Sequence, residues 1–427
     1  MVATCLFGLE KLLGEELDAM GLRRLETMDG RVIFEGEEAD VPRVNIRLRC
    51  AERVFVLMGR FPAATFDQLY EGTRALPLEE WIGERDAFPI SGHSIKSALT
   101  SIPACQKIVN KAMVDRLGAH YGITWFEQDS GITYPMEFFL LRDEAMILLD
   151  TSGMALHKRG YRKNAGVAPL RETLAAAIAL TARPRPDLLF WDPFCGSGTI
   201  AIETAMILSG RSPGLLRTFA GEQFSRLPAA LWQEVREAAQ ADIRRDEMFE
   251  VWASDLDEDM LDLTYENALL AGVEEHLNIF QADARKIEKP ERRGTILCNP
   301  PYGERLQTPE EVAELYREIG RQFAGFDPWQ IYVLTSVERF ETLYGRRADK
   351  IKKLYNGMIP CYLYEFFRPP IARAADQEKK FPHHGTRSDR EVPMRREKKP
   401  SYRSPIPSQD DRRSVPQKRT GTDKIKK

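Results

Sequence analysis

No stretch of the 427 residues approaches the roughly 18 uninterrupted apolar positions that a membrane-spanning helix requires. Residues 1–21 have no basic region ahead of their apolar positions, and Glu10, Glu15 and Glu16 interrupt them, so a signal peptide is not expected. The six cysteines (Cys5, Cys50, Cys105, Cys195, Cys298 and Cys361) include no Cys-x-x-Cys pair. That spacing argues against a zinc site or a disulfide framework, so no metal is expected and a reducing cytoplasm fits. No Gly-Lys-Ser or Gly-Lys-Thr is present, which excludes a P-loop nucleotidase. No internal repeat is visible.

What is present is ordinary in bulk and uneven in charge. With 43% hydrophobic and 29% charged residues, the chain has the composition of a globular protein of two or three domains. The net charge is −3, yet residues 371–427 hold 17 Lys and Arg against 8 Asp and Glu, while the other 370 residues hold 44 against 56. A tail of +9 on a body of −12 points to a polyanionic partner, although solubility alone would account for it. The tail is rich in Pro, Ser, Lys and Arg and nearly free of aliphatic residues, so it is expected to be disordered.

Periodicity organises the rest. Leu9, Leu12, Leu13, Leu17 and Met20 fall on one helix face, with Gly21 as a stop and a strand at 31–34. A second unit opens with a mixed helix at 44–50 and a strand at 54–58. It continues with a helix entered at Ser101 and Pro103, and closes on a hairpin over 138–149. From about 165 the pattern alternates: a helix at 171–181, strands at 188–191, 250–253, 277–281, 295–298, 331–334 and 361–367, with helical segments between the first of these strands. Alternating β and α units predict a parallel sheet, so the fold class is α/β.

Chemistry concentrates where those strands end. The first parallel strand runs into Asp192-Pro193-Phe194-Cys195-Gly196-Ser197-Gly198-Thr199 and then a helix. Gly196 and Gly198 let a backbone approach a ligand closely at the carboxyl end of a strand. Asp192 would repel a pyrophosphate, but suits a ligand with a cationic or hydroxyl-rich end such as S-adenosylmethionine. The glycine turn alone fits a structural connection equally well. A second acid, Asp255, ends the next strand and can accept from both ribose hydroxyls, while Asp257 and Asp259 read as a helix N-terminal cluster. Asp283, followed by Ala284, again closes a strand and can accept from an adenine amino group. Any one of these acids fits a helix cap; three in order at successive strand ends point to a cofactor cradle.

Asn299-Pro300-Pro301-Tyr302 is the most specific feature. An exocyclic amino nitrogen is a poor nucleophile because its lone pair is delocalised into the ring. The Asn299 side-chain oxygen and the Pro300 carbonyl can accept its two N–H groups, and the prolines hold those acceptors rigidly. Tyr302 offers a flat face for a base taken out of its stack.

These motifs closely resemble those of the THUMP-domain class I RNA methyltransferases, and most nearly the bacterial 23S rRNA guanine-N2 methyltransferases of the RlmL type. Leu156-His157-Lys158-Arg159-Gly160-Tyr161-Arg162, Ala168-Pro169-Leu170-Arg171-Glu172 and Lys353-Leu354-Tyr355-Asn356-Gly357 agree with that family, as does the long interval between Asp192 and Asp255 with its Pro213-Gly214. The resemblance covers about residues 1–370. It implies a ferredoxin-like piece (1–42), a THUMP RNA-binding domain (43–155) and a Rossmann-like methyltransferase domain (156–370), followed by the basic tail (371–427).

The implied cofactor is S-adenosylmethionine, with Asp192, Pro193, Gly196, Ser197, Gly198, Thr199, Asp255, Asp283 and Ala284 around it. Asn299, Pro300 and Tyr302 are the implied catalytic group. The implied partner is RNA, most of all rRNA, with Lys96, Ser97, Lys107, Lys111, Arg159 and Arg162 as expected contacts; singly, each fits a solvated polar face as well. The sequence departs from the family in the basic tail and in lacking the fused second methyltransferase domain of some relatives. A tRNA guanine-N2 methyltransferase, a DNA adenine-N6 methyltransferase and a non-catalytic ribosome-assembly factor stand as alternatives.

Overall fold

The computed structural model of the chain describes residues 1–123, 131–162, 170–301 and 308–367. Tyr302 and the tail at 371–427 lie outside these residues. The amino-terminal half contains β1 (Val2–Cys5), α1 (Glu10–Ala19), β2 (Arg24–Met28), β3 (Arg31–Phe34), α2 (Asp40–Arg47), β4 (Ala51–Pro62), α3 (Phe66–Arg74), β5 (Ile90–Ile95), α4 (Ile102–Tyr121), β6 (Met136–Leu141) and β7 (Glu144–Asp150). Its strands form a single seven-stranded sheet in the order β2-β3-β1-β4-β7-β6-β5. The twelve-residue β4 pairs antiparallel with β1 on one side and β7 on the other. The division expected at residues 42 and 43 lies within α2, and β4 ties the ferredoxin-like and THUMP portions into one sheet. The expected leucine stripe faces inward on α1, with Leu9, Leu13 and Leu17 buried. On α4, Ser101 stands at the N-cap without a side-chain cap bond, Pro103 lies in the first turn, and Val109, Ala112, Met113 and Leu117 are buried.

The second half contains α5 (Glu172–Ala182), β8 (Leu189–Asp192), α6 (Thr199–Leu208), α7 (Ala229–Ala241), β9 (Val251–Asp255), α8 (Glu258–Ala271), β10 (Leu277–Gln281), β11 (Gly294–Cys298), α9 (Pro309–Phe323), β12 (Gln330–Thr335), α10 (Phe340–Tyr344), β13 (Lys350–Asn356) and β14 (Ile359–Phe366). Its sheet runs β10-β9-β8-β11-β12-β14-β13. The first five of these are mutually parallel, and β14 and β13 close one edge antiparallel. Helices α5 and α6 carry almost no polar face, and nearly all of their residues are buried. A helix apolar all round has to be covered on every side. The long interval between Asp192 and Asp255 carries α7 and returns to the first half. Gly214 N–H donates to Ile46 O (2.9 Å), and a Cβ on Gly214 would sit 2.6 Å from Ile46 Cα. Arg47 pairs with Asp242 at 2.6 Å. Among the described residues no helix is long and apolar enough to cross a membrane, and the six cysteines are buried and unpaired.

Candidate active site at the carboxyl edge of the parallel sheet

Chain order and sheet order diverge at β8. Its neighbours are β9 on one side and β11 on the other, so the connections leave in opposite directions and open a crevice at the carboxyl ends of the strands. The register places Asp192 opposite Ala253 of β9, Asp255 opposite Gln281 of β10, and Trp191 opposite Ile296 of β11. Asp283, Asp255, Asp192 and Asn299 therefore succeed one another across one sheet edge in the order β10, β9, β8, β11.

Asp192 is only 3% exposed. Its Oδ1 accepts the Phe194 N–H at 3.2 Å, while Oδ2 is buried with no hydrogen-bond partner among the described residues. Burial pushes this carboxyl well above the usual carboxylate range; the Phe194 N–H opposes that and the Asp255 charge adds to it. The turn that follows is held open by its glycines. Gly196 (φ +51°) donates its N–H to Asp255 Oδ2 at 2.9 Å, and Cys195 N–H reaches Ser254 O at 3.0 Å. A Cβ on Gly196 would meet nothing within 4 Å, so this face of the turn borders open space. A Cβ on Gly198 (φ +80°) would lie 2.7 Å from Thr264 Cγ2. Helix α8 clasps the turn: Thr264 Oγ1 donates to Gly196 O (2.7 Å) and Asn267 Nδ2 to Ser197 O (2.9 Å). The sequence reading missed both residues; buried polar side chains three apart on α8 were their only signal.

Asp255 is half-buried and its Oδ1 also accepts the Asp257 N–H at 3.1 Å. Asp257 caps α8 by accepting the Asp259 N–H at 3.0 Å, as a helix N-terminal cluster would. Leu256, next to Asp255, is 61% exposed and presents an apolar face that the sequence reading did not single out. Asp283 is gripped by Arg285, whose Nε donates to Oδ1 (2.7 Å) and Nη2 to Oδ2 (2.8 Å). These bonds hold its carboxyl below the usual range. Ala284 is buried beside it.

Asn299 leaves β11 8% exposed, and its Oδ1 is a second buried acceptor with no partner among the described residues. Pro300 is also buried. An unsatisfied buried polar group costs about 1–3 kcal/mol, and such groups are rare in native proteins. Two unpartnered acceptors on adjacent strand ends, beside a glycine turn that faces open space, fit a ligand carrying donors: a cationic amine for Asp192 and an amino group for Asn299.

The expected RNA contacts divide. Lys96, Lys107 and Lys111 are exposed, and Lys111 lies 5.5 Å from the Tyr70 ring. Ser97 is half-buried and braces its own loop, donating to Ile95 O (3.2 Å) and accepting from Asp143 N–H (3.0 Å). Arg159 is 2% exposed and has no face for a phosphate, which corrects that expectation. Its guanidinium donates to Leu156 O (2.8 Å) and to Arg49 O, and lies 3.4 Å from Glu203. Burial disfavours its charge, but Glu203, Tyr161 and Glu172 together more than offset this and hold the guanidinium above its usual range. The exposed cation of that segment is Lys158. Arg162 is mostly buried and donates to Thr199 Oγ1 at the start of α6, with Glu172 3.4 Å away. It anchors the turn between β8 and α6, and the Thr199 hydroxyl is engaged by it.

Residues 1–55 match the RlmL ferredoxin-like domain, 63–150 the THUMP domain and 159–365 the RMKL-like methyltransferase domain. The Bacillus subtilis (strain 168) protein named "Putative RNA methyltransferase YpsC" is 41% identical over 369 residues, which cover 86% of this chain and 95% of that protein. The ribosomal RNA large subunit methyltransferase K/L of Psychromonas ingrahamii is 34% identical over 87% of this chain. The match covers 50% of that relative, so the chain spans about half its length. The crystal structure of SMU.472 complexed with SAH superposes with a TM-score of 0.81 at 36% identity, covering 87% of this chain and 98% of that one. The crystal structure of a predicted N6-adenine-specific DNA methylase from Listeria monocytogenes has the same TM-score at 39% identity, covering 86% and 96%. With its three domain matches and near full-length similarity to YpsC, the chain belongs to the THUMP-domain, S-adenosylmethionine-dependent RNA methyltransferases of the RlmL type.

Proposed function

We propose that the protein methylates the exocyclic N2 of a guanine in RNA, and that the RNA is large-subunit rRNA. The observation that carries the chemistry is the buried Oδ1 of Asn299, beside the buried Oδ2 of Asp192 on the adjacent strand, both without a hydrogen-bond partner among the described residues. When bound, S-adenosylmethionine supplies an electrophilic methyl group. Asp192 would receive its ammonium, Asp255 its ribose hydroxyls and Asp283 its adenine amino group, with the Gly196 face left open for it. Asn299 Oδ1 and the Pro300 carbonyl would accept the two N–H groups of the target nitrogen and aim its lone pair at that methyl group. Tyr302 is proposed as the stacking surface.

The ribosomal substrate is supported by the names of the K/L relatives and by the THUMP match, and it implies a cytoplasmic site of action. A DNA adenine-N6 activity is the second reading. The name of the Listeria structure favours it, and the same two acceptors suit an adenine amino group. Product analysis separates the two. Incubation with labelled cofactor, rRNA, tRNA and duplex DNA should yield N2-methylguanosine in rRNA, whereas N6-methyladenine in DNA would overturn the proposal. By analogy with single donors at oxyanion sites, Asn299→Ala should lower turnover on the order of 10²–10³-fold while SAH affinity is retained. Undiminished turnover would remove the acceptor role.

A further inference from the structure

The amino ends of the parallel strands carry a second concavity, on the edge of the sheet opposite the active site. It is a cleft of about 850 Å³ that reaches Leu188 before β8, Gly294 at the start of β11 and Gln330 at the start of β12, with α1 as one wall. The strands are four to six residues long, so about 13 Å or more of sheet separates the cleft from the carboxyl edge. It is a distinct site.

Its charge is opposite to that of the body. Seven basic and two acidic side chains line it, although residues 1–370 as a whole hold 44 basic against 56 acidic. Lys11 and Arg185 are answered locally by Glu15 and Asp187. Arg183, Arg293, Lys350 and Lys353 are exposed and have no carboxylate partner among the described residues. Deeper in, Lys352 lies 3.5 Å from Glu365 and donates to Thr181 Oγ1 at 3.2 Å. Burial holds its ammonium below the usual range, which Glu365 opposes and the neighbouring Lys350 charge reinforces. Thr295 Oγ1, 1% exposed and on the cleft lining, has no hydrogen-bond partner among the described residues. Phe367 is on the rim, and the chain runs on from it into the +9 segment.

We propose that this cleft is a second RNA-binding surface, taking a phosphodiester backbone remote from the target base through Arg183, Arg293, Lys350 and Lys353. Four exposed cations with no carboxylate at ion-pair distance among the described residues suit the phosphates of a strand, which position an RNA without reading its bases. The lining cations address phosphate oxygens and not base edges, so the contact is one of backbone and not of sequence. The inference rests on the RNA reading above.

The test uses the full-length protein carrying Arg183→Gln, Arg293→Gln, Lys350→Gln and Lys353→Gln together, with an rRNA transcript that the wild-type enzyme methylates. Each phosphate contact is worth a salt slope of about 1, so the plot of log K against log salt should flatten by about 3–4. KM for RNA should rise, while kcat at saturating RNA, SAH affinity and melting temperature stay at wild-type levels. The companion carrying Arg183→Lys and Arg293→Lys keeps the charge and should keep the slope. An unchanged slope and KM in the four-site variant would overturn the cleft and leave the methyltransferase reading standing. Methyl incorporation into DNA and none into RNA by the wild type would overturn both. A loss of kcat or SAH affinity without a change in slope would show that these residues act through the fold, and would also overturn the proposal.

Discussion

A carboxylate shut away from water raises the free energy of its charged form, and Asp192 is shut away with one oxygen unpartnered. Its folded-state pKa stands above its unfolded value, so between the two the native state binds more protons than the unfolded one. The penalty is absent below the unfolded pKa of roughly 4 and grows as pH rises towards the folded value. Asp192→Asn keeps an acceptor for the Phe194 N–H and removes the charge. Its unfolding free energy relative to wild type, measured in urea without ligand, should therefore improve as pH rises from about 5 to 8. A pH-independent difference would contradict the burial argument. The same substitution loses a charge-assisted bond worth about 1.5–3 kcal/mol, so calorimetry should show SAH binding weaker by roughly tenfold to a hundredfold. Stability and cofactor capture pull in opposite directions at this side chain, as expected where an acid is held ready for a cationic ligand.

At the scale of elements, the turn between β8 and α6 assigns different work to its two glycines. Gly198→Ala puts a Cβ into Thr264, which also holds the Gly196 carbonyl, and forces a left-handed residue; a loss on the order of 2–4 kcal/mol of stability is expected. Gly196→Ala bears only the backbone strain, about 1 kcal/mol, but projects its methyl into the open space of the crevice. Melting should therefore be near normal and SAH binding poor. If Gly196→Ala bound SAH as well as wild type, the cofactor would lie elsewhere. This turn, the helix after it and the acids at the strand ends were legible in the sequence because central parallel strands are apolar on both faces and stop abruptly at polar residues. Of the strands the sequence reading missed, β2, β5 and β13 are sheet edges, whereas β1 is too short to show a period and lies between β3 and β4. An edge strand buries little, so β2 alternates among Arg24, Glu26 and Thr27 and β5 runs through Ser91, Gly92 and His93. Helix α3 was missed for the same reason, although its Thr65–Gln68 capping box was present in the sequence. Arg159 was misread because an arginine in a polar segment looks exposed until Glu203, far along the chain, is known to face it.

Across the whole of residues 1–370, that pair belongs to a charged junction between the RNA-recognition half and the catalytic half. Glu52 of β4 accepts from Arg171 (2.7 Å), His157 (3.0 Å) and Thr173, the last in α5. Arg49 donates to Arg211 O (2.8 Å), and Arg159 joins Arg49 O to Glu203 within α6. Glu203 is fully buried and also accepts the Tyr161 hydroxyl at 3.2 Å. Ions buried this deeply add little net stability as a pair, yet removing one partner strands the other in a medium that cannot solvate it. Glu203→Gln should therefore cost about 3–5 kcal/mol in urea unfolding, and the double change Arg159→Met with Glu203→Leu should recover most of that loss. The recovered protein then isolates the purpose of the junction. If the pair serves geometry, the double variant should bind SAH normally yet methylate RNA poorly, because α6 follows the turn proposed to hold the cofactor and Arg159 fixes that helix to Arg49 of the THUMP-containing half. If it methylates RNA at the wild-type rate, the pair is a replaceable piece of core, and the halves are aligned by their other contacts, among them Glu52 with Arg171 and Thr173 and Gly214 with Ile46.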